Sequence, residues 1–141
     1  MDNDEKTVTI INYRRSACNN QPSGLERQRI SALDWAAQNG VEFDEEIEEI
    51  SGGLKMAPQL TRIMERCEGG ETIEIVVQDP SRIARGMSVL GKFLARASKC
   101  GLNVRYVRDN GAFTPNMVQL ALAIDQALQI QRAFRRERKH G

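Results

Sequence analysis

Histidine occurs once in the 141 residues, at His140, and cysteine three times, at Cys18, Cys67 and Cys100. A single histidine and the lack of any Cys-x-x-Cys pair argue against a zinc site and against histidine acid–base catalysis. No metal and no cofactor is expected. Three cysteines so widely spaced do not form a disulfide framework and fit a reducing compartment better. No apolar run approaches the length of a bilayer span, and the polar residues 1–6 lack a signal-peptide pattern. The expectation is a cytoplasmic protein without a membrane partner. No internal repeat and no low-complexity linker breaks the chain, whose length and 40% hydrophobic, 28% charged composition suit one globular domain with a proper core.

Nucleotide-binding signatures are also missing. No Gly-x-Gly-x-x-Gly follows a strand-like run, and there is no Gly-x4-Gly-Lys-Ser/Thr. What is present is an alternation of strand-like and helical stretches. Residues 7–13 read as a first strand. Ser23-Gly24-Leu25-Glu26 has the capping-box pattern and opens a helix to Asn39, stopped by Gly40. Residues 41–50 read as a second strand, acidic enough to lie near an edge. Pro58 opens a helix ending near Cys67. Residues 72–77 form the most apolar strand, 87–99 a helix stopped by Gly101, and 102–107 a fourth strand. This order predicts an α/β fold with a mainly parallel sheet of four or five strands and helices on both faces.

From the Thr114-Pro115 cap onward, no proline or glycine interrupts the chain until about Lys139. That is a helix of about 25 residues, roughly 37 Å long. Met117, Leu120, Ala121, Ile124, Leu128 and Phe134 supply its apolar positions. Such a helix either folds back on its own sheet or packs against a partner chain. Residues 129–141 carry Arg132, Arg135, Arg136, Arg138 and Lys139 against Glu137 alone, a charge of +4, while the rest carries 15 basic and 18 acidic residues, or −3. A basic end on a mildly acidic body fits a polyanion, or simply complements a helix dipole. We divide the chain into residues 1–112, an α/β body, and 113–141, a helix for oligomerisation and polyanion contact.

Ligands of open α/β sheets bind beyond the C-terminal strand ends. There the sequence places Arg14 and Arg15 after strand one, Ser51-Gly52-Gly53 after strand two, and Asp79-Pro80-Ser81-Arg82-Ile83-Ala84-Arg85 after strand three. Arg15, Ser51, Arg82 and Arg85 are expected to converge, and the i, i+3 spacing of Arg82 and Arg85 puts them on one face of any helical turn. Guanidinium forks match phosphate oxygens in pairs. A rim rich in arginine and poor in carboxylates is not a magnesium-binding receiver site. On these residues alone, a phosphate-binding α/β domain of another kind stays open.

Tyr13-x-Arg15 at the first strand, Gln21, Leu25-Glu26-Arg27-Gln28, Ser51-Gly52, Pro58 and Ser81-Arg82-x-x-Arg85, followed by a long helix, together resemble the catalytic domain of the serine site-specific recombinases, the resolvase/invertase group. The resemblance runs from residue 7 to about 139. It implies a resolvase-like fold, double-stranded DNA as partner, and a dimer or tetramer built through residues 115–135. It also implies a metal-free reaction in which a serine hydroxyl attacks the scissile phosphodiester and becomes linked to DNA through phosphoserine. Arg15, Arg82 and Arg85 match the catalytic arginines, and Tyr13, Gln21, Gln28 and Ser51 match supporting polar positions. Arg132, Arg135, Arg136, Arg138 and Lys139 fall where the long helix crosses DNA. Family members usually carry a separate DNA-binding domain after that helix.

The match departs at two places. In the register set by Tyr13, Arg15 and Gln21, the nucleophile position is Ala17, and a methyl group cannot attack phosphorus. The arginine expected before Pro58 is Ala57, with Lys55 the nearest cation. Ser16 becomes the nucleophile only if the strand slips by one residue, which turns every side chain to the other face. Cys18 is a thiol one position late. The implied function is therefore DNA strand exchange with an impaired centre. The alternative is a non-catalytic pseudo-recombinase that binds DNA or assembles with an active relative.

Overall fold

A computed structural model describes the backbone of residues 7–17, 22–108 and 115–140, and their side chains except those of 22–23, 115–118, 121 and 138–140. Four strands alternate with four helices: β1 Thr9–Ser16, α1 Pro22–Asn39, β2 Glu45–Ile50, α2 Pro58–Glu68, β3 Ile73–Val77, α3 Met87–Cys100, β4 Asn103–Tyr106 and α4 Pro115–His140. The sheet is wholly parallel in the order β2-β1-β3-β4, as the alternation predicts. Ile11, Tyr13, Ile73, Ile75 and Val77 turn one face to Leu60, Ile63 and Met64 of α2 and to Leu90, Phe93 and Ala97 of α3. On the other face lies α1, whose buried Leu25, Gln28, Ala32 and Ala36 recur at helical spacing. Among the described residues, no helix is long and apolar enough to cross a membrane.

Strand β1 runs three residues past the expected end at 13. Its two arginines do not stop it, because acidic β2 lies in register beside it, Arg14 opposite Glu48 and Arg15 opposite Glu49. Glu46 and Glu48, two apart and so on one face, hold the Arg14 guanidinium at 2.9 and 3.0 Å. Arg14 is thereby buried. As expected, β2 is an edge strand, and its glutamates protect that edge from pairing with another chain.

Helix α1 begins at Pro22, so Ser23 falls inside its first turn and not at a cap. Glu26, the other half of the expected capping box, pairs with Arg29. Helix α4 has 26 residues and starts at Pro115; Thr114 and the side chains of Met117 and Ala121 lie outside the described set. It packs along α3. Ile124 and Leu128 are half-buried there, and Asp125 is buried with the Gln129 amide donating to it at 2.7 Å. Residues 129–137 are all exposed.

Candidate functional site

Strands β1 and β3 pair only as far as Asn12 and Val76, whereas β1 and β2 continue to Ser16 and Ile50. Beyond Asn12 the sheet splits, and a crevice opens at the point where strand order reverses. Past the last β1–β3 pair, the main chain of Arg15 finds its partner in α1. Its N–H donates to the Gln28 amide oxygen at 3.2 Å, and its carbonyl accepts from the Gln28 amide nitrogen at 3.1 Å. One side chain of α1 thus replaces the missing strand and keeps both buried backbone groups paired.

The Arg15 side chain faces the other way and is 3% exposed. Its Nε donates to the Arg82 carbonyl at 2.9 Å, one terminal nitrogen to the Ser51 carbonyl at 2.6 Å, and the other to the Ser81 carbonyl at 2.6 Å. One guanidinium therefore ties together the ends of β1, β2 and β3. Ser81 and Arg82 offer their carbonyls because Pro80–Arg82 forms a 3₁₀ turn capped by the Asp79 carboxylate, which accepts from the Ser81 N–H at 2.9 Å and from its hydroxyl.

Arg82 and Arg85 close on the same point. Arg82 reaches back to the Arg15 carbonyl at 3.4 Å, and the Arg85 N–H donates to the Gly53 carbonyl at 2.9 Å. Gly53 has a φ of +80°, and a Cβ there would lie 2.8 Å from Arg85 Cγ and 2.9 Å from Arg15 Nη2. Only glycine fits between the two arginines. The helical turn ends at Ile83, so it is the bond to Gly53, and not a shared helix face, that brings Arg85 in. Burial lowers the Arg15 pKa below the usual arginine range, and the charges of Arg82 and Arg85 depress it further, with Tyr13 and Glu49 opposing. Among the described residues, no carboxylate forms an ion pair with any of the three. The charges of Arg82 and Arg85 bear on Arg15 with no acid to offset them in an ion pair, which is a site that an anion would relieve.

Tyr13 belongs to the wall behind this cluster. Its buried hydroxyl donates to Glu49 at 2.9 Å, and the same carboxylate accepts the N–H groups of Gln59 and Leu60 at 3.1 and 3.2 Å. Glu49 is 3% exposed. It caps α2 from a neighbouring strand, because the N-cap residue Ala57 has no side chain able to do so. Burial first, then the Glu49 charge, pushes the Tyr13 pKa well above the ordinary tyrosine range, so its proton stays in place.

The family model described as Resolvase, N terminal domain matches residues 10–141. The chain belongs to the resolvase N-terminal domain family. Solved structures share its fold. A resolvase family site-specific recombinase from Streptococcus pneumoniae superposes with a TM-score of 0.63 at 23% identity, over 95% of this chain and 94% of that one. The N-terminal catalytic domain of TP901-1 integrase gives 0.65 at 15% identity, over 89% and 99%. The C-terminal catalytic domain of ISC1926 TnpA, an IS607-like serine recombinase, gives 0.61 at 19% identity, over 91% and 82%. No curated protein matches the sequence.

In this resolvase domain the remaining residues singled out in the sequence fall as follows. Ser16 ends β1 on the face opposite Arg15 and is buried. Ala17 is exposed, immediately past the strand. Cys18 and Gln21 lie outside the described residues. Ser51 is half-buried and uses its main chain, the N–H donating to the Ser16 carbonyl at 2.9 Å and the carbonyl accepting from Arg15. Ala57 is 1% exposed, against the core. Arg132, Arg135 and Arg136 are exposed on α4, and the side chains of Arg138 and Lys139 lie outside the described set. Glu49 was not singled out. Its alternation with Ile47 placed it on the Tyr13 face, but nothing local announced the bare helix end it would cap.

Proposed function

We propose that this resolvase domain engages a DNA phosphodiester as serine recombinases do, and that it does not cleave DNA with Ala17 in place. The observation that carries the reading is the cluster of Arg15, Arg82 and Arg85 around Gly53 at the split between β1 and β3. Arg15 frames the site, since three of its N–H groups are spent on carbonyls. Arg82 and Arg85 supply free donors for the non-bridging phosphate oxygens, and this preorganised charge is what phosphoryl transfer requires. A serine hydroxyl at position 17 would attack phosphorus, release the DNA strand end and leave a phosphoserine link. Tyr13, Gln28 and Ser51 hold the frame, and Gln21 completes the polar set by family position. Neither Ser16 nor Cys18 takes the nucleophile's place in this reading, as Ser16 is buried on the opposite face of the sheet. Residues 1–112 form the phosphate-binding body. Residues 113–141, with Arg132, Arg135, Arg136, Arg138 and Lys139, provide assembly and DNA contact.

Ala17→Ser tests this directly. The wild-type chain should give no covalent protein–DNA adduct on duplex DNA, and the variant should give one. An adduct from the wild-type chain that Ser16→Ala or Cys18→Ala abolishes would overturn the assignment of position 17. One observation favours a second reading, a pseudo-recombinase that acts as a binding or assembly partner of an active relative. Ala57 is packed into the core, and the α2 end behind it is already served by Glu49, so the chain is built around the lost arginine as well. If Ala17→Ser binds DNA and forms no adduct, that second reading holds.

A further inference from the structure

Under α1, the ends of β3 and β4 enclose a groove of about 320 Å³. Arg27 and Asp34 of α1, Gln78 and Arg82 after β3, and Arg108 after β4 line it. Arg82 is shared with the arginine cluster, so the groove opens beside the phosphate site from the α1 face of the sheet.

Among the described residues, two buried polar atoms on side chains that line it have no partner. Gln78 Oε1 lacks a donor and Arg82 Nε lacks an acceptor, and Gln78 is only 9% exposed. Buried polar groups are nearly always paired, so an orphaned acceptor and an orphaned donor lining one groove call for a reason. The rest of the lining has the same double character. Arg27, Arg82 and Arg108 offer donors to an anion, while Asp34 and Gln78 Oε1 offer acceptors to an amino group. The space lies at the small end of ligand pockets, about 300–1,000 Å³. A ligand with a phosphate at one end and an amino-bearing ring at the other satisfies both sets.

We propose that the groove holds one unpaired nucleotide, phosphate and base together, next along the strand to the phosphate engaged by Arg82 and Arg85. Its base carries an exocyclic amino group, as adenine, cytosine and guanine do and thymine does not. The placement on the strand rests on the DNA reading above. The nucleotide must be at a strand end or lifted from the stack, which costs a few kcal/mol in duplex DNA.

The test uses the full chain, with equilibrium dialysis and amide chemical shifts as readouts and dCMP, dTMP and inorganic phosphate as probes. The groove binds dCMP at least about tenfold tighter than dTMP or phosphate, the factor expected for one hydrogen bond to a charged or buried partner. Arg27 and Arg108 are exposed, so the double variant Arg27→Ala, Arg108→Ala folds, and it weakens dCMP by about tenfold or more. Gln78→Met keeps the volume and removes the acceptor, which erases the preference for dCMP over dTMP. No dCMP binding, or binding equal to that of phosphate and unchanged in the double variant, overturns the proposal. A single-stranded oligonucleotide that competes with dCMP places the nucleotide on DNA; failure to compete overturns that placement and leaves a site for a free nucleotide. An Ala17→Ser adduct without dCMP binding removes the groove and keeps the strand-exchange reading. Binding of dCMP without DNA engagement does the reverse.

Discussion

Arg15 is the member of the arginine cluster whose donors are already committed to main-chain carbonyls. Replacing it with alanine strands the carbonyls of Ser51, Ser81 and Arg82 in a partly buried place. An unpaired buried polar group costs about 1–3 kcal/mol, and part of the loss is recovered by relaxation. Arg15→Ala should therefore cost about 3–5 kcal/mol in urea unfolding, visible as a lower midpoint with an unchanged slope. Arg15→Lys should recover only part of this, because an ammonium cannot reproduce the fork geometry that reaches three separate loops. A loss below about 1 kcal/mol for Arg15→Ala would show that the clamp contributes little. Arg82 and Arg85 have no comparable set of partners, so their alanine variants should leave the midpoint nearly unchanged and weaken phosphate or DNA binding instead.

Elements are joined by a second arginine. Arg66 of α2 holds Glu45 of β2 at 2.8 Å and Glu71, just before β3, at 2.6 Å. The hydrogen bond from Arg66 lowers the Glu45 pKa, and the two carboxylates raise that of Arg66. Because the folded-state pKa of Glu45 lies below its unfolded value of about 4.3, its stabilisation is complete at neutral pH. It is lost as pH falls through the folded value. Arg66→Ala should cost about 0.5–1 kcal/mol at pH 7, and the difference from wild type should shrink below about pH 4. A difference that is constant with pH would rule out this ion-pair account. Helix α4 sets the other element-scale expectation. Leu120, Ile130 and Phe134 are 52%, 61% and 62% exposed, so large apolar side chains stand in water along a helix about 39 Å long. Ile130→Glu with Phe134→Glu should convert a dimer or larger oligomer into a monomer by light scattering, without changing the unfolding midpoint of the body. A wild-type monomer at high concentration would remove the assembly role.

At the scale of the whole molecule, charge is segregated. The edge strand β2 and residues 42 and 44 before it are acidic, while the exposed second half of α4 carries Arg132, Arg135 and Arg136. Duplex DNA should bind weakly and without sequence preference, with a steep salt dependence. Each phosphate contact releases counterions and contributes about 0.9 to the slope of log K against log salt. Alanine at all three arginines should flatten that slope by up to about three. An unchanged slope would mean that the basic end only complements its helix.

Much of the fold was legible in the sequence because its causes are local. Apolar runs of strand length, Pro58 and Pro115 at helix starts, and Gly40 and Gly101 at helix stops act within a few residues, and their order alone implied a parallel sheet. Proximity of Arg15, Ser51, Arg82 and Arg85 was legible too, since strand ends in such a sheet share a rim. The structure alone decided how these groups are used. Strand β1 extends through Arg14 because glutamates more than thirty residues away neutralise it. Glu49 caps a helix that has no cap of its own, Gln28 stands in for a strand, and Arg15 spends its donors on Ser51, Ser81 and Arg82. In the last two cases the partners are main-chain N–H and C=O groups. Every residue has a carbonyl and every residue but proline an N–H, so no side-chain code in the sequence marks which of them will face an arginine or a glutamine once the chain has folded.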